Sequence, residues 1–442
     1  MNSRQPVDQP QQTGAVSVLE REAEQHQCCG GPADNLLPVE HGRARILRSV
    51  APLTQTQQID VRSGFGRVLA EDVISPINVP AYDNSAMDGY AVRGCDLNSD
   101  GNNRLQVIGS VLAGHPFNGE IGPGQCVKIM TGAKVPDGLD TVIMKEICHC
   151  EGSEDDLYVR FPAGAKLGQN RRFAGEDLAQ GAVAIAAGTR LGAAELGMIA
   201  SLGQAEINVY RKPRVAYFST GDEICSLGQP LQAGQIYDSN RYTVTAMLRS
   251  MDIEVIDLGV IPDQPAAIEQ AFLQASAQAD VVLSSGGVSL GEADYVKDSL
   301  DKLGQVGFWR LAMKPGRPLA FGNVGKALFF GLPGNPVAVM VSFLQFAKPA
   351  LRKLSGESHW LPQSCQLASR DHIRKKPGRT EYVRAIIETN NDGLPQVRSS
   401  GQQGSGILTS MSRANCLIVL ADNQDDIAAG DLVTVQPFEG LL

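Results

Sequence analysis

The 442-residue chain lacks an apolar leader: its first 40 residues are polar and Gln-rich, with none of the hydrophobic run a secretory signal needs, which predicts a cytoplasmic protein. It lacks an unbroken membrane-length segment as well. The longest uncharged run, Ala327 to Ala347, is split by Pro333, Gly334, Asn335 and Pro336, which leaves about a dozen apolar-rich residues and predicts a buried helix. Positive charge is not in excess: 39 Lys and Arg stand against 48 Asp and Glu, a formal net charge of −9. That excludes a nucleic-acid-binding surface spread over the whole molecule, while leaving room for a local basic pocket that takes an anion. Cysteine does not form a framework either, since nine are scattered through a long chain. Cys148-His149-Cys150 falls short of a four-ligand zinc set, and Cys28-Cys29 lies in the polar tail. No internal repeat of 20–50 residues is apparent.

What is present divides the chain. Residues 1 to about 37 carry Gln, Pro and Gly over few apolar anchors and predict disorder. From Ile46 to Val73 the pattern predicts a helix and then a short segment punctuated by Gly64 and Gly66. Between Pro76 and about Gly168, short β-rich runs such as "LQVIGSVLAG", "GQCVKIMTG", "DTVIMKEI" and "LYVRF" alternate with turn residues, which predicts an all-β module. A helix returns within Leu191–Gly203. From Arg214 the text alternates strand and helix: "RVAYFST", "RYTVTAMLRSM", "IEVIDLGVI", then Ile268, Ala271, Phe272 and Ala275 at helical spacing, "DVVLSS", and Val296, Leu300 and Leu303. Strands that are continuously apolar predict a mainly parallel sheet covered on both faces. Beyond Gly356, "EYVRAIIET", "CLIVLA" and "DLVTVQPF" predict a small barrel or sandwich.

In open α/β sheets ligands bind outside the carboxyl ends of the strands, and here the polar, Gly-rich text falls at those ends. Thr220-Gly221-Asp222-Glu223 follows "RVAYFS", Pro262-Asp263 follows "VIDLGVI", "MKPGRP" follows "FWRLA" and "LPGNPV" follows "ALFFG". After "DVVL" comes "SSGGVSLGEADYV", Ser284 to Val296. Its Gly286 and Gly287 allow close backbone approach to a ligand, the following helix offers unpaired N–H groups to an anion, and Ser284, Ser285 and Ser289 can donate to phosphate oxygens. Glu292 and Asp294 repel a bare phosphate unless a divalent cation such as Mg²⁺ bridges them; equally, Ser289 is a fitting N-cap and both acids are favourable first-turn charges. Lys314 is either a point charge on a phosphate or an ordinary solvated lysine. In the β-rich region "VPAYDNSAMDGYAVR", Val79 to Arg93, sets Asp83 and Asp88 among apolar neighbours, as a polar turn or as a site. "KIMTGAKVP" offers Thr131 at a strand end, and "GQNRRFAGEDL" offers Arg171, Arg172, Glu176 and Asp177, as an oxyanion grip or as a surface salt-bridge cluster.

With "DNSAMDGYA", "IMTGA", "FSTGDE", "SSGGVSLGEADY", "KPGRP" and "GLPGNP" present in this order, the chain from about Leu37 to its end resembles the molybdopterin molybdenumtransferase family, whose relatives include the C-terminal domain of gephyrin. The resemblance implies an enzyme that takes adenylylated molybdopterin and molybdate, uses Mg²⁺, releases AMP and inserts molybdenum into the dithiolene. It also implies an elongated homodimer with a cleft shared between subunits, and molybdopterin adenylyltransferase and molybdoenzymes as protein partners. Neither nucleic acid nor membrane is expected as a partner. Transferred by motif, Asp83, Thr131, Arg172, Asp177, Asp263 and Lys314 would be catalytic. Ser219, Thr220, Gly221, Ser285, Gly286, Gly287, Ser289, Arg310, Pro333 and Pro336 would bind the cofactor with Lys314, and Arg384 and Ser405 would join them from the C-terminal β domain. Glu223 and Asp294 would hold the metal. Arg310 stands where the family text leads one to expect lysine; arginine keeps the charge but is planar and forked.

The expected fold is multidomain α/β plus β: a disordered extension (1–37), a helical linker domain (38–76 and 171–209), a β-rich domain (77–170), a three-layer α/β molybdopterin-binding domain (210–355) and a C-terminal β-barrel (356–442). Two rival functions use the same fold, a non-catalytic gephyrin-like scaffold and an adenylyl-transferring enzyme on the shared α/β domain. Acids clustered at strand ends weigh against the first, and the separate "DNSAMDGYA" module and β-barrel weigh against the second.

Overall fold

The computed structural model describes residues 36–98, 103–153, 156–286 and 295–438. Most of the extension expected to be disordered lies outside the described residues. Two compact units emerge, one of residues 58–65 with 69–209, the other of residues up to 57, 66–68 and 210 onward.

The first unit is β-rich. Gly89–Val92, Asn103–Val111, Gln125–Ile129, Thr141–Met144, His149–Ser153 and Asp156–Phe161 form one six-stranded sheet. Val92, Val127, Ile129 and Val142 are fully buried in its two small cores. Ala193–Ser201 is the helix expected within Leu191–Gly203.

The second unit holds the α/β sheet. Its strands are β1 (Arg214–Thr220), β2 (Glu254–Ile261), β3 (Val281–Ser285), β4 (Gly304–Arg310), β5 (Pro318–Val324) and β6 (Ala327–Leu332). They lie in the order β2-β1-β3-β6-β5-β4. The first four are parallel, while β5 is antiparallel to both β6 and β4. Alternate residues of one strand enter opposite cores. Val215 and Tyr217 pack with Val244, Met247 and Leu248 of α1 (Ser239–Ser250), and with the buried Pro336–Ser342 helix. Ala216 and Phe218 pack instead with Ile268, Ala271, Phe272 and Ala275 of α2 (Pro265–Gln278), and with Val296 and Leu300 of α3 (Tyr295–Leu303). Strands buried on both faces are why their text is apolar without alternation.

Two details differ from the sequence reading. Strand β5 has no counterpart in the sequence reading, because "RPLAFGNV" opens on proline directly after a Gly-rich turn. A helix expected from Ile46 lies upstream instead, at Val39–Ser49. Pro52 pushes Ala51 out of the helical region and so bars continuation. Val39 and Ile46 bury that helix in the α/β core.

Beyond the sheet, Cys365–Ser369, Thr380–Thr389, Pro395–Ser399, Cys416–Leu420 and Leu432–Pro437 form a closed five-stranded barrel. The additional pairing of Thr380–Thr389 with Cys416–Leu420 closes it. Closure leaves the barrel no free sheet edge. Among the described residues, no helix is long and apolar enough to cross a membrane.

Candidate functional site

Two antiparallel steps restore direction, so β4 runs the same way as the four parallel strands. The carboxyl ends at Thr220, Ile261, Ser285, Arg310 and Leu332 therefore share one rim, and β5 starts there. Against this rim opens a cleft of about 740 Å³. Ser219, Thr220, Glu223, Ser285 and Gly286 line it at the ends of β1 and β3, Lys314 from the two-residue strand Met313–Lys314 ahead of β5, and Pro333 and Pro336 from the stretch after β6. Ser405 reaches it from the barrel, because its carbonyl accepts from Val337 N–H at 3.1 Å at the start of the Pro336 helix. Nine residues singled out by sequence thus meet in one cavity.

The floor is a closed set of hydroxyls. Ser219 and Ser285 face each other in register across β1 and β3, with oxygens 3.3 Å apart. The Tyr217 hydroxyl, two residues down β1, bonds Ser285 at 2.7 Å and Ser219 at 3.0 Å. Gly286 must be glycine: its φ is +90°, and a Cβ there would stand 2.5 Å from the Thr220 carbonyl oxygen.

At the ends of β1 and β2 three acids gather. Asp263 N–H points to Asp222 Oδ1 at 3.4 Å. The Asp263 carboxyl is pushed above its ordinary pKa by burial, and then by the charges of Asp222 and Glu223. Asp263 does not line the cleft itself. Lys314 does, with its ammonium 3.1 Å from Glu381 and half its side chain exposed.

Arg384 is nearly fully buried. It donates to the Gln402 and Gly404 carbonyls at 3.4 and 3.0 Å and to Ser410 Oγ at 3.1 Å. Desolvation brings its pKa down to about 10. It therefore holds the loop that carries Ser405 and borders a neighbouring cavity of about 360 Å³ that also touches Lys314. Arg310 and Gly221 are not among the residues lining the main cleft. Gly287, Ser289, Glu292 and Asp294 lie outside the described residues.

The β-rich unit holds a second group. Asn84–Ser85 pairs on one side with Arg171–Arg172, and on the other bonds Ala133 O and Gly132 N–H, which draws Asp83, Thr131 and Arg172 to one edge. Asp83 accepts from Ala174 N–H at 2.8 Å and stands 3.6 Å from Arg171, whose guanidinium also covers the Phe173 ring at 4.5 Å. Of the two arginines expected to grip an oxyanion, Arg171 is thus engaged within the protein, whereas Arg172 makes no ion pair among the described residues. Asp177 joins through its N–H to Val79 O, with its side chain exposed. Thr131 donates both N–H and hydroxyl to Asp88, which also meets Lys145 at 3.1 Å. These three donors hold Asp88 at a pKa of about 2.

Sequence reading missed Arg317 and Arg379, exposed cations of the cleft that form no ion pair among the described residues, together with Asp238, Asn240 and Gln403. Arg317 stands inside "KPGRP" without being singled out there, whereas Arg379, a lone arginine in a loop, gives no signal in one sequence. Cys148 and Cys150 bond Met144 O and the Tyr90 hydroxyl, and among the described residues no group of three or more His, Cys, Asp or Glu is arranged to hold a metal.

Comparison with known proteins gives the family. Three family profiles match: "MoeA N-terminal region (domain I and II)" over residues 37–203, "Probable molybdopterin binding domain" over 216–353 and "MoeA C-terminal region (domain IV)" over 366–438. A molybdopterin molybdenumtransferase of Haemophilus influenzae is 44% identical over 92% of this chain and all of its own length. A gephyrin of Dictyostelium discoideum is 31% identical over 92% of this chain and 63% of its own. The crystal structure of a molybdopterin biosynthesis moeA protein from Pyrococcus horikoshii superposes with a TM-score of 0.79 at 28% identity, over 91% of this chain and all of that one. By its profile matches along the chain and its full-length relatives, the protein belongs to the MoeA family of molybdopterin molybdenumtransferases, and it is a transferase of molybdenum cofactor biosynthesis.

Proposed function

We propose that the chain takes adenylylated molybdopterin and molybdate, cleaves the pyrophosphate with Mg²⁺ and releases AMP as molybdenum enters the dithiolene. The observation that carries this reading is the single rim cleft in which hydroxyls, a glycine turn, an acid and a lysine meet. Phosphate oxygens need donors, which the Ser219 and Ser285 hydroxyls supply, and cations, which Lys314, Arg317 and Arg379 supply.

The residues fit Mg²⁺. Glu223 lines the cleft with Asp222 and Asp263 beside it, and Mg²⁺ is ordinarily held by one or two carboxylates plus substrate phosphates and water. Glu223 would hold it, with Asp294 as the further ligand and Asp263 nearby. When bound, the ion neutralises charge that develops on the phosphates. Asp83, Thr131, Arg172 and Asp177 act at insertion, where Arg172 can offer a fork of donors to molybdate. Arg384 acts through the Gln402–Ser405 loop, and Arg310, at the end of β4, steers anions toward the rim.

The reading includes a cytoplasmic homodimer whose cleft is completed by the second subunit, and it places a molybdopterin adenylyltransferase upstream and molybdoenzymes downstream as protein partners. It is tested by incubating purified protein with adenylylated molybdopterin, Mg²⁺ and molybdate. Molybdate-dependent AMP release is expected, and Glu223→Gln should lower it by about 100-fold or more, as loss of a charged contact in the transition state does. No turnover would leave the scaffold, and molybdate-independent adenylyl chemistry the nucleotide enzyme.

A further inference from the structure

Three buried oxygens on the cleft wall have no hydrogen-bond partner among the described residues: Thr220 Oγ1, Asp238 Oδ2 and Asn240 Oδ1. All three residues line the cleft. Asp238 keeps only 3% of its surface exposed. Its Oδ1 caps α1 by accepting from Arg241 N–H at 3.0 Å, which accounts for one oxygen and leaves the other. The orientation of Asn240 is fixed by its Nδ2, which donates to Gly334 O at 2.7 Å, so the atom left over is an acceptor.

Buried acceptors are almost always paired, and an unpaired carboxylate oxygen is a costly exception that a ligand can remove. Thr220 can donate or accept, whereas the free oxygens of Asp238 and Asn240 only accept, so their part of the wall calls for hydrogen-bond donors. The same cleft also presents Lys314, Arg317 and Arg379, which call for negative charge. The complementary ligand has an N–H-rich head and a phosphate tail.

We propose that Asp238, assisted by Asn240, is the residue that recognises the pyrimidine edge of the pterin, where the ring N3–H and the 2-amino group lie side by side as two donors. Adenine offers one amino group flanked by ring acceptors, which suits this wall less. The inference rests on the pterin reading of the cleft given above.

Asp238→Asn tests it, because asparagine keeps the helix cap and the shape while turning the unpaired acceptor into a donor. Binding of 6-hydroxymethylpterin phosphate and of its 2-oxo counterpart, the lumazine, is followed by fluorescence with and without Mg²⁺. The parent should prefer the pterin by on the order of 10- to 100-fold, the worth of a hydrogen bond to a charged group. The variant should lose that preference or reverse it, at either Mg²⁺ level, while melting at or above the parent's temperature. A residue with only a structural role would not move the pterin-to-lumazine ratio. If the parent binds the pterin and the variant keeps its preference, Asp238 is not the reader although the cleft is a pterin site. If the ratio changes only with Mg²⁺ present, the carboxylate holds the cation and the proposal fails. If the parent binds neither compound, the pterin reading falls and takes this inference with it.

Discussion

Asp263 is a residue whose charge the fold works against. Burial disfavours its ionised form, and Asp222 and Glu223 add repulsion, so its folded pKa lies above the ordinary aspartate value of 3.8. The folded state then holds the proton more tightly than the unfolded chain. Stability falls as pH rises from 3.8 through the folded pKa, and the penalty is complete above it. Asp263→Asn should accordingly melt higher than the parent at neutral pH, with the gap closing as pH falls into the carboxylate range. Thermal melts across that range check this, and a variant that melts lower at neutral pH would show the carboxylate to be stabilising. Added Mg²⁺ should raise the melting temperature of the parent more than that of the variant, because the parent has one more carboxylate whose repulsion the cation relieves. Asp88 shows the opposite case at the same scale: three donors lower its pKa, so its contribution is present at neutral pH and is lost only in strong acid.

Among the elements, α2 shows how far a single sequence can be read. Ile268, Ala271, Phe272 and Ala275 were placed on one helical face by spacing alone, and all four are buried. Phe272 meets Phe218 of β1 and Phe329 of β6 edge-on, with ring centroids 5.2 and 5.3 Å apart, and so ties the helix to two strands. Phe272→Ala should cost about 3–5 kcal/mol, the usual result of emptying a buried aromatic site. It would appear as a lower denaturant midpoint, with the KM of folded enzyme little changed. Such faces are legible because burial repeats with the period of the element. Strand β5 was not legible, since its pairing is antiparallel and its first residue is a proline, both of which follow from tertiary placement. The candidate site divides in the same way. Ser219, Thr220, Glu223, Ser285 and Gly286 stand at strand ends, where the α/β rule directs attention. Tyr217, by contrast, looked like core because its ring is core, and only the fold shows its hydroxyl reaching Ser219 and Ser285. Arg384 follows from the resemblance without its partners, which are the Gln402 and Gly404 carbonyls and the Ser410 hydroxyl, 18, 20 and 26 residues away.

For the whole molecule, the decisive question is whether one chain suffices. The residues proposed for catalysis fall in two compact units, Lys314 in one and Asp83 in the other. The homodimer reading assigns them to each cleft from different subunits. Consider Lys314→Ala and Asp83→Asn, each inactive alone, unfolded together and reassembled as mixed dimers. If each cleft takes its Lys314 from one subunit and its Asp83 from the partner, a mixed dimer has one cleft with both lesions and one with neither. Random two-fold pairing makes half the dimers mixed, so about a quarter of all clefts are intact and about a quarter of the parental AMP release returns. If both residues serve a cleft of their own chain, every cleft keeps one lesion and mixing restores nothing. The measurement needs only the rate before and after mixing, with a size determination to show that dimers form. Full silence in mixed dimers of the right size would refute the shared cleft, while leaving the chemistry within each chain untouched.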